Sequence, residues 1–330
     1  MKIFVTGCCG MIGTQLMETL ANSKIDLSGC DNFIRGTKKN YDHIVKCADK
    51  NGISFDFYEH DLLTGFPDVF IEDVDLVIHL ADILGGIQYV FNNQFKIYNN
   101  NVIIDANVSN TVSSKKSLKY IYVGTACSFP DHLQNSENAI LYDKDKFPAS
   151  PESVYGWSKL IGEMHTTHLR DSCNMDTANI IFHNVYGPWA DFNLNSAQAI
   201  PSLIHKASKL KPNQKLEVFG SGEQSRSFIH SSDIANFFVN ILQSGKDINR
   251  FNNVQLGSEK AIKIKELAKM VLRESGCDEE NIIFTNPELE GDMGRIPDLT
   301  LSRKLGFQQN MDLSAGIKKL INWAKINEKI

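Results

Sequence analysis

Three glycines near the amino terminus constrain this chain more than any other feature. Gly7, Gly10 and Gly13 form a G-x-x-G-x-x-G pattern directly after Lys2–Thr6, a short β-branched and aromatic run. Apolar residues then recur at helical spacing as far as Leu20. A glycine loop between a first strand and a helix lets the backbone approach a pyrophosphate and directs the helix N-terminus at it. The pattern therefore predicts a dinucleotide-binding loop rather than a tight turn without a ligand.

Segments typical of buried strands alternate with segments of helical periodicity along the first half of the chain. Further strands are predicted at Ile25–Cys30, Ser54–Tyr58, Leu76–Leu80, Leu118–Val123 and Ala178–Phe182. Helical patterns separate the strands, notably at Val102–Val112 and Val154–Ser172. With right-handed crossovers, this alternation predicts an α/β fold, a Rossmann-like doubly wound parallel sheet covered by helices on both faces.

The character of the sequence changes after Gly187-Pro188. Helical patterns become dominant, at Ala197–Ser208, Ile234–Ser244, Ile264–Glu274 and Leu313–Lys325. We therefore predict a cofactor-binding domain over residues 1–185 and a smaller, mostly helical substrate domain over residues 186–330. The strand-like pieces Lys215–Phe219 and Asn253–Leu256 fit either domain.

Composition excludes several classes of protein. The net charge is −5, without the basic excess of a nucleic-acid-binding protein. No apolar stretch reaches the ~18 residues of a membrane span. Seven irregularly spaced cysteines indicate free thiols and a cytoplasmic location. His165 and His168 have no third ligand at a fixed spacing, so we expect no metal site.

Two carboxylates bear on the choice of dinucleotide. Asp31 ends the second predicted strand, where it would accept a hydrogen bond from a ribose 2′-hydroxyl and repel a 2′-phosphate. This favours NAD over NADP, although Arg35 nearby weakens the preference. Asp61 follows the third strand, either as an adenine contact or as a cap for the turn before Thr64.

A tyrosine and a lysine share one face of a predicted helix. Tyr155 and Lys159 stand four residues apart at its start. An ammonium beside a phenol favours the phenolate and lowers its pKa, which makes tyrosine a usable base near neutral pH. Such pairs are common on ordinary helices. Here the pair follows a dinucleotide loop and a strand that ends in Gly124-Thr125-Ala126-Cys127, and that combination indicates catalysis.

Over essentially its whole length the chain resembles the extended short-chain dehydrogenases/reductases, the nucleotide-sugar epimerases and dehydratases. The matching residues are Gly7, Gly10, Gly13, Asp31, Asp61, His79-Leu80-Ala81, Thr125, Tyr155, Lys159, Asn184–Pro188, Arg226–His230 and Asp233. The resemblance implies that Thr125, Tyr155 and Lys159 are catalytic. It implies an NAD site at Gly7, Gly10, Met11, Ile12, Gly13, Asp31, Asn32, Asp61, Leu62, Leu80, Ala81, Tyr155 and Lys159. It also implies a nucleotide-diphospho-sugar substrate at Gly86, Ile87, Asn184, Gln198, Arg226 and Arg295, and a homodimer.

Within that family the motifs are most similar to those of GDP-mannose 3,5-epimerases, and next to those of GDP-fucose synthases. They are Gly85-Gly86-Ile87, Tyr98-Asn99-Asn100, the Thr125–Pro130 run and Phe182–Pro188. In those enzymes a cysteine at the position of Cys127 moves a proton beside a transient ketone. Oxidation at C4 acidifies the hydrogens at C3 and C5, which a thiolate can then remove. The alternative is that Cys127 is a small hydrophobic residue at a strand end.

The sequence departs from that pattern at two positions. Gln198 stands where those enzymes carry a proton-transferring lysine or histidine, and an amide cannot exchange a proton near neutral pH. Other candidates for that role nearby are His183, Asp191, His205 and Lys206. Asp82 stands where those enzymes carry an alanine. Its carboxylate either lies near the nicotinamide or substrate, or caps the following helix.

We therefore expect an NAD-dependent nucleotide-sugar epimerase, with a GDP-sugar favoured as substrate. A C4 dehydrogenase or 4-epimerase needs no second proton carrier, so Gln198 favours that alternative. A 4,6-dehydratase fits less well, because Ala126-Cys127 replaces the Asp-Glu pair of those enzymes. An alternative from another class is an NAD-sensing binding protein without activity. Proteins of that kind usually lose the Tyr/Lys pair, which is intact here.

Overall fold

The structure of the protein, a computed structural model, describes residues 1–286 and 291–330. Its strands are β1 (Lys2–Thr6), β2 (Asp26–Asp31), β3 (Phe55–Glu59), β4 (Leu76–His79), β5 (Lys119–Thr125), β6 (Ile140–Leu141), β7 (Thr177–Phe182), β8 (Asn184–Tyr186), β9 (Leu216–Phe219), β10 (Ser225–His230), β11 (Val254–Leu256), β12 (Ala261–Lys263), β13 (Ile282–Thr285) and β14 (Ile296–Pro297). Its α-helices are α1 (Met11–Asn22), α2 (Lys38–Asn51), α3 (Ile87–Asn92), α4 (Gln94–Ser113), α5 (Val154–Cys173), α6 (Ala199–Ser208), α7 (Ser231–Gln243), α8 (Ile264–Ser275), α9 (Thr300–Lys304) and α10 (Leu313–Ile326). Short 3₁₀ helices lie at Leu62–Thr64, Asp68–Ile71, Ala126–Ser128, Asp131–Leu133, Asp143–Asp145 and Ile248–Phe251.

A seven-stranded sheet forms the centre of the molecule. Its strands follow the order β11-β7-β5-β4-β1-β2-β3, and every neighbouring pair is parallel. The order reverses between β1 and β4. In open sheets of this kind ligands bind outside the carboxyl ends of the strands at that point. The predicted doubly wound parallel sheet is confirmed.

Both faces of the sheet are covered because successive side chains of a strand point to opposite sides. In β1, Ile3 and Val5 pack on one side with Leu16 of α1 and Phe237 of α7. Phe4 points to the other side, where α4 and α5 lie and where it packs in a second core. Strands buried on both faces are nearly continuous apolar runs, and such runs are what predicted these strands in the sequence.

A second group of elements is assembled from the later part of the chain. β8, β10 and β12 form one small sheet, and β9 pairs with β13 in another. Helices α6, α8 and α10 close around a separate core that includes Ile200, Leu267 and Ile317. The chain also returns to the large sheet, since Val254–Leu256 adds strand β11 beside β7 and α7 packs on α1. Of the two strand-like pieces, the second thus joins the large sheet and the first forms β9.

Helix α4 begins earlier than the sequence predicts. It begins at Gln94, eight residues before Val102, so the motif Tyr98-Asn99-Asn100 lies inside the helix. The cause is long-range: the buried Asn101 side chain accepts a hydrogen bond from the Ile83 N–H at 2.7 Å and donates one to the Ile83 carbonyl at 3.1 Å. Such a tertiary contact outweighs the modest helix propensity of asparagine.

Helix α5 approaches the sheet closely at a glycine. A Cβ added to Gly162 would overlap the hydroxyl of Tyr122 on β5 and the carboxylate of Asp105 on α4. These two groups are themselves hydrogen-bonded at 2.6 Å and fully buried, so neither has room to move. The fit of α5 against β5 and α4 therefore depends on the missing side chain.

We expect Gly162→Ala to lower the free energy of unfolding by about 1–3 kcal/mol, the usual cost of overpacking a filled core. Equilibrium urea denaturation monitored by circular dichroism measures this loss. Lys46→Ala, on the exposed face of α2, is the control and should change stability little. Equal stability of Gly162→Ala and the wild type would contradict the packing described here.

Candidate active site

One cavity of about 550 Å³ opens at the carboxyl ends of the central strands. Its volume is in the usual range for a ligand site. Every site residue predicted from the sequence lines this cavity, with the exception of Lys159. Lys159 is buried instead, with its ammonium 4.3 Å from the centre of the Tyr122 ring. The fold thus brings together residues from positions 7 to 295 of the chain.

The glycine loop has the geometry that a dinucleotide requires. Gly7 adopts a left-handed φ of 65°, and a Cβ there would lie 3.0 Å from the backbone of Ala81. A Cβ on Gly13 would overlap the Gly7 carbonyl oxygen. Gly10 precedes α1 and offers no side chain to cap it, so the first N–H groups of the helix are left for a ligand. This end of the cavity fits the pyrophosphate of NAD.

Asp31 lies at the end of β2 and lines the cavity beside Asn32. Its carboxylate accepts hydrogen bonds from the N–H groups of Cys9 at 3.0 Å and Phe33 at 2.8 Å. Burial raises its pKa, and these two hydrogen bonds partly offset that effect. Each carboxylate oxygen has a second lone pair, which can accept from a ribose hydroxyl.

Two further residues near the cofactor end have defined partners. Asp61 caps the 3₁₀ helix at Leu62–Thr64 by accepting from the Leu63 N–H at 2.9 Å, and it also lines the cavity. Arg35 donates to the Leu84 carbonyl and lies 3.4 Å from Asp191. The guanidinium is therefore already engaged by an acceptor and a carboxylate.

Tyr155 meets a carboxylate rather than the lysine ammonium. Its hydroxyl donates to Oδ2 of Asp82 at 2.7 Å, and Lys159 Nζ lies 4.0 Å from the same oxygen. Burial raises the pKa of Tyr155 well above its usual value, and the negative charge of Asp82 raises it further. The expected lowering of this pKa by Lys159 is therefore wrong for this arrangement. Asp82 does not cap α3, which begins after Gly86 without a side-chain cap.

Cys127 lies in a short 3₁₀ helix directly after β5, where Thr125 accepts from its N–H at 3.2 Å. Nη1 of the buried Arg295 donates to its sulfur at 2.8 Å. The other end of that guanidinium pairs with Glu152 at 3.1 Å and with Asp292. Burial lowers the pKa of Arg295, but the negative charges of Cys127, Asp292 and Glu152 raise it above its usual value.

Glu152 was not identified from the sequence. Its side chain lines the cavity, is 30% exposed, and sits beside a second carboxylate, Asp292. Burial and the hydrogen bond with Asp292 raise the pKa of Glu152 to about 7. The available signal was its place one residue before Ser153, the N-cap of the helix that carries Tyr155.

The predicted substrate residues also line the cavity. Arg226 donates to the carbonyls of Ser225 and Asp292, and burial together with Arg295 lowers its pKa to about 10. Asn184 donates to the Ser227 carbonyl at 3.3 Å. The remaining members are Gly86 and Ile87 at the start of α3 and Gln198 at the N-cap of α6.

Two of the four other proton-carrier candidates line the cavity, His183 and Lys206. Burial lowers the pKa of His183 to about 4, so its imidazole is neutral at physiological pH. Burial also lowers the pKa of Lys206. Asp191 and His205 are bonded elsewhere, to Ser196 and to the Phe192 carbonyl, outside the cavity lining.

The family model of the NAD dependent epimerase/dehydratase family matches residues 3–257 of the chain. The chain belongs to this family. NAD is therefore its cofactor, in agreement with the glycine loop, and the protein is an enzyme of the short-chain dehydrogenase/reductase type. The resemblance inferred from the sequence is confirmed.

Relatives in the family match over nearly the whole chain. GDP-mannose 3,5-epimerase 1 of Oryza sativa subsp. indica is 27% identical over 329 residues, which cover 98% of this chain and 82% of that protein. GDP-L-colitose synthase of Yersinia pseudotuberculosis is 24% identical over 334 residues, covering 100% and 99%. The structure of UDP-glucuronic acid 4-epimerase from Bacillus cereus, in complex with UDP-glucuronic acid and NAD, superposes with a TM-score of 0.81 at 23% identity, covering 99% and 100%. This last likeness shows the shared fold.

Outside the cavity, Glu18, His43 and Cys47 on α1 and α2 bring three potential metal-ligating atoms within 4.8 Å of one another. His43 Nε2 lies 3.1 Å from the Glu18 carboxylate and 3.5 Å from the Cys47 sulfur, which are ordinary hydrogen-bond distances. In the described part of the chain, no helix is long and apolar enough to span a membrane.

The position of Asp31 predicts the cofactor preference of the free enzyme. We expect NAD to bind at least about tenfold more tightly than NADP, a difference of about 1.4 kcal/mol, because the carboxylate repels a 2′-phosphate. Asp31→Asn should lower the ratio of NAD affinity to NADP affinity, mainly because NADP binds more tightly without the negative charge. Isothermal titration calorimetry with both dinucleotides measures it. Equal affinities in the wild type would show that Asp31 does not select the cofactor.

Proposed function

We propose that the protein is an epimerase of nucleotide-diphospho-sugars, with a GDP-sugar favoured, that oxidises C4 transiently and exchanges a proton at C3 or C5. The observation that carries this proposal is the position of Cys127. Its sulfur lies in the same cavity as Tyr155 and is bonded to a buried guanidinium, that of Arg295. A packing residue needs no charged partner, whereas a thiol that moves protons benefits from one.

In the first step Tyr155 takes the proton of the sugar C4 hydroxyl. Thr125, at the end of β5, orients the reacting oxygen by a hydrogen bond. Lys159 holds positive charge behind the phenol, where Tyr122 and Asp82 fix its ammonium. The glycine loop and Asp31 would hold NAD, which would supply the hydride acceptor for the oxidation at C4.

The ketone at C4 acidifies the neighbouring C–H bonds, because the resulting carbanion is an enolate. Cys127 removes such a proton as a thiolate. Arg295 offsets the negative charges that gather in this part of the cavity, since its guanidinium spans the Cys127 sulfur and the Glu152 carboxylate. A charge-assisted hydrogen bond of this kind is stronger in a partly dehydrated site than in water.

We propose Glu152 as the second proton carrier, in place of the lysine or histidine that Gln198 replaces. A general acid or base works best when its pKa lies near the working pH. The raised pKa of Glu152, about 7, meets that condition. His183 is a weaker candidate because burial lowers its pKa to about 4.

The GDP-sugar preference rests on the motifs shared with GDP-mannose 3,5-epimerases and on the 27% identity to one of them. Arg226 and Asn184 are proposed to hold the diphosphate, for which a guanidinium fork is suited. A 4-epimerase or C4 dehydrogenase is the alternative function. The amide of Gln198, which lines the cavity and cannot exchange a proton, favours it.

We further propose that the enzyme is a cytoplasmic homodimer. All seven of its cysteines are free, as a reducing compartment requires. Large apolar side chains are exposed on the two packed helices α4 and α5: Phe95, Tyr98, Ile103, Trp157 and Met164. Phe95 is 78% exposed. A second copy covering this surface, as in the family, would remove these side chains from water.

Deuterium incorporation tests the epimerase proposal. In heavy water the enzyme should place deuterium at C3 or C5 of a turned-over GDP-sugar, because a proton is exchanged there. Cys127→Ser and Glu152→Gln should each reduce incorporation by about a hundredfold or more while sparing C4 oxidation. Nuclear magnetic resonance locates the label, and NADH absorbance reports the C4 step.

Two controls sharpen this experiment. Cys173→Ser changes another partly exposed free cysteine, at the end of α5, and should leave incorporation intact. Tyr155→Phe should abolish NADH formation and incorporation together, because proton exchange requires the ketone. Turnover of sugar nucleotides without deuterium at C3 or C5 would reject the epimerase proposal in favour of the 4-epimerase or dehydrogenase.

The double substitution Phe95→Glu with Met164→Glu tests the dimer. Two charges on the apolar surface of α4 and α5 should convert the dimer into a monomer, because each would lose its hydration on association. Sedimentation velocity measures the mass. Val69→Glu, at an exposed apolar residue outside these helices, should leave the dimer unchanged. A wild type that sediments as a monomer would rule out the dimer.

A further inference from the structure

Asp82 is hydrogen-bonded to the tyrosine that we assign as the base. The phenol donates to its Oδ2 at 2.7 Å, and Lys159 Nζ lies 4.0 Å from that oxygen. The Asp82 side chain is 25% exposed and lines the cavity, so it lies at the boundary between the buried pair and the ligand space. Asp82 does not cap α3, since that helix begins five residues later, at Ile87, without a side-chain cap.

This contact changes what Tyr155 can do. The groups that act on the phenol are Asp82, Cys127 and Asp105, all able to carry negative charge, with Lys159 as the nearby cation. Burial and these charges raise the pKa of Tyr155 well above its usual value. A neutral phenol already carries its proton and is a very weak base. It accepts a proton from a sugar hydroxyl only if it passes its own proton on at the same time.

We propose that Asp82 is the proton acceptor behind Tyr155, so that the C4 hydroxyl proton reaches Asp82 through the phenol. The sugar O–H bond breaks as a new Tyr155 O–H bond forms, and the original Tyr155 O–H bond breaks as an O–H bond forms on Asp82. The hydride of C4 goes to bound NAD, which balances the two-electron oxidation. Reduction of the ketone returns the proton along the same path.

Asp82 acts on the substrate through Tyr155 and is therefore a positioning and relay residue. Lys159 completes the arrangement, because an ammonium near the Asp82 oxygen balances its charge before the proton arrives. The inference rests on the proposed role of Tyr155. It goes beyond that role by assigning the final proton acceptor to a carboxylate instead of to the phenolate.

The coupling is measured first without cofactor or substrate. The near-ultraviolet absorbance of tyrosinate is followed against pH in the wild type and in Asp82→Asn, and the curve of the matching variant with Tyr155→Phe is subtracted from each. The difference isolates Tyr155. We expect it to ionise at a lower pH in Asp82→Asn, because the amide removes the negative charge beside the phenol. An unchanged titration would overturn the proposal.

The relay itself is tested by the pH profile of the C4 oxidation rate in a single turnover. In Asp82→Asn the amide cannot accept a proton, so oxidation requires the phenolate. The rate should fall by about a hundredfold near neutral pH and recover as pH rises through the Tyr155 pKa measured above. Asp68→Asn, the same charge change at an exposed residue outside the cavity lining, should keep the wild-type profile.

Other outcomes separate the possible failures. A loss of rate in Asp82→Asn that is equal at every pH means a structural role and refutes the relay. A loss that follows a weaker NAD affinity, measured by calorimetry, makes Asp82 a cofactor contact and also refutes it. If no sugar nucleotide is oxidised by the wild type, the proposed function fails, while the cofactor-free titration still decides whether Asp82 controls Tyr155.

Discussion

A buried series of hydrogen bonds fixes the relative positions of the strands and the helix around the active site. Thr6 at the end of β1 contacts Nδ1 of His79 at 2.6 Å, and Nε2 of His79 contacts Asp105 at 3.0 Å. Tyr122 donates to the other Asp105 oxygen at 2.6 Å. All four side chains are almost completely buried, where an unpaired polar group is costly. These hydrogen bonds therefore fix the positions of β1, β4, α4 and β5 relative to one another.

The direction of these hydrogen bonds follows from Thr6. Its hydroxyl oxygen accepts from the N–H groups of Leu80 and Ala81, both at 3.1 Å. Its own proton is then directed at His79 Nδ1, which assigns the imidazole proton to Nε2 and makes His79 the donor to Asp105. The same two N–H contacts hold the backbone of Ala81 against Gly7, so one threonine fixes both the glycine loop and the segment that carries Asp82.

Much of the fold, and many of the residues that line the cavity, could be predicted from the sequence, because they depend on local patterns. The glycine loop, the apolar strands and the Tyr155 helix each lie within about twenty residues, where periodicity is informative. The partners of Asp82 and Cys127 could not be predicted. Their contacts join residue 82 with residue 155 and residue 127 with residue 295. Such long-range contacts depend on the order of the strands and the path of the loops, which no local sequence pattern determines. Glu152 could not be predicted either, because a carboxylate just before a helix is typical of a residue that stabilises the helix N-terminus.

The charged groups of the cavity couple the ionisation of Tyr155 to that of its neighbours. Cys127 lies close enough to Tyr155 that negative charge on its sulfur raises the pKa of the phenol. Two neighbouring groups of this kind do not lose protons independently. Arg295 compensates charge on the Cys127 side, and Lys159 does so on the Tyr155 side. The Cys127 side and the Tyr155 side of the cavity thus each contain a buried cation, which lowers the free-energy cost of negative charge on that side.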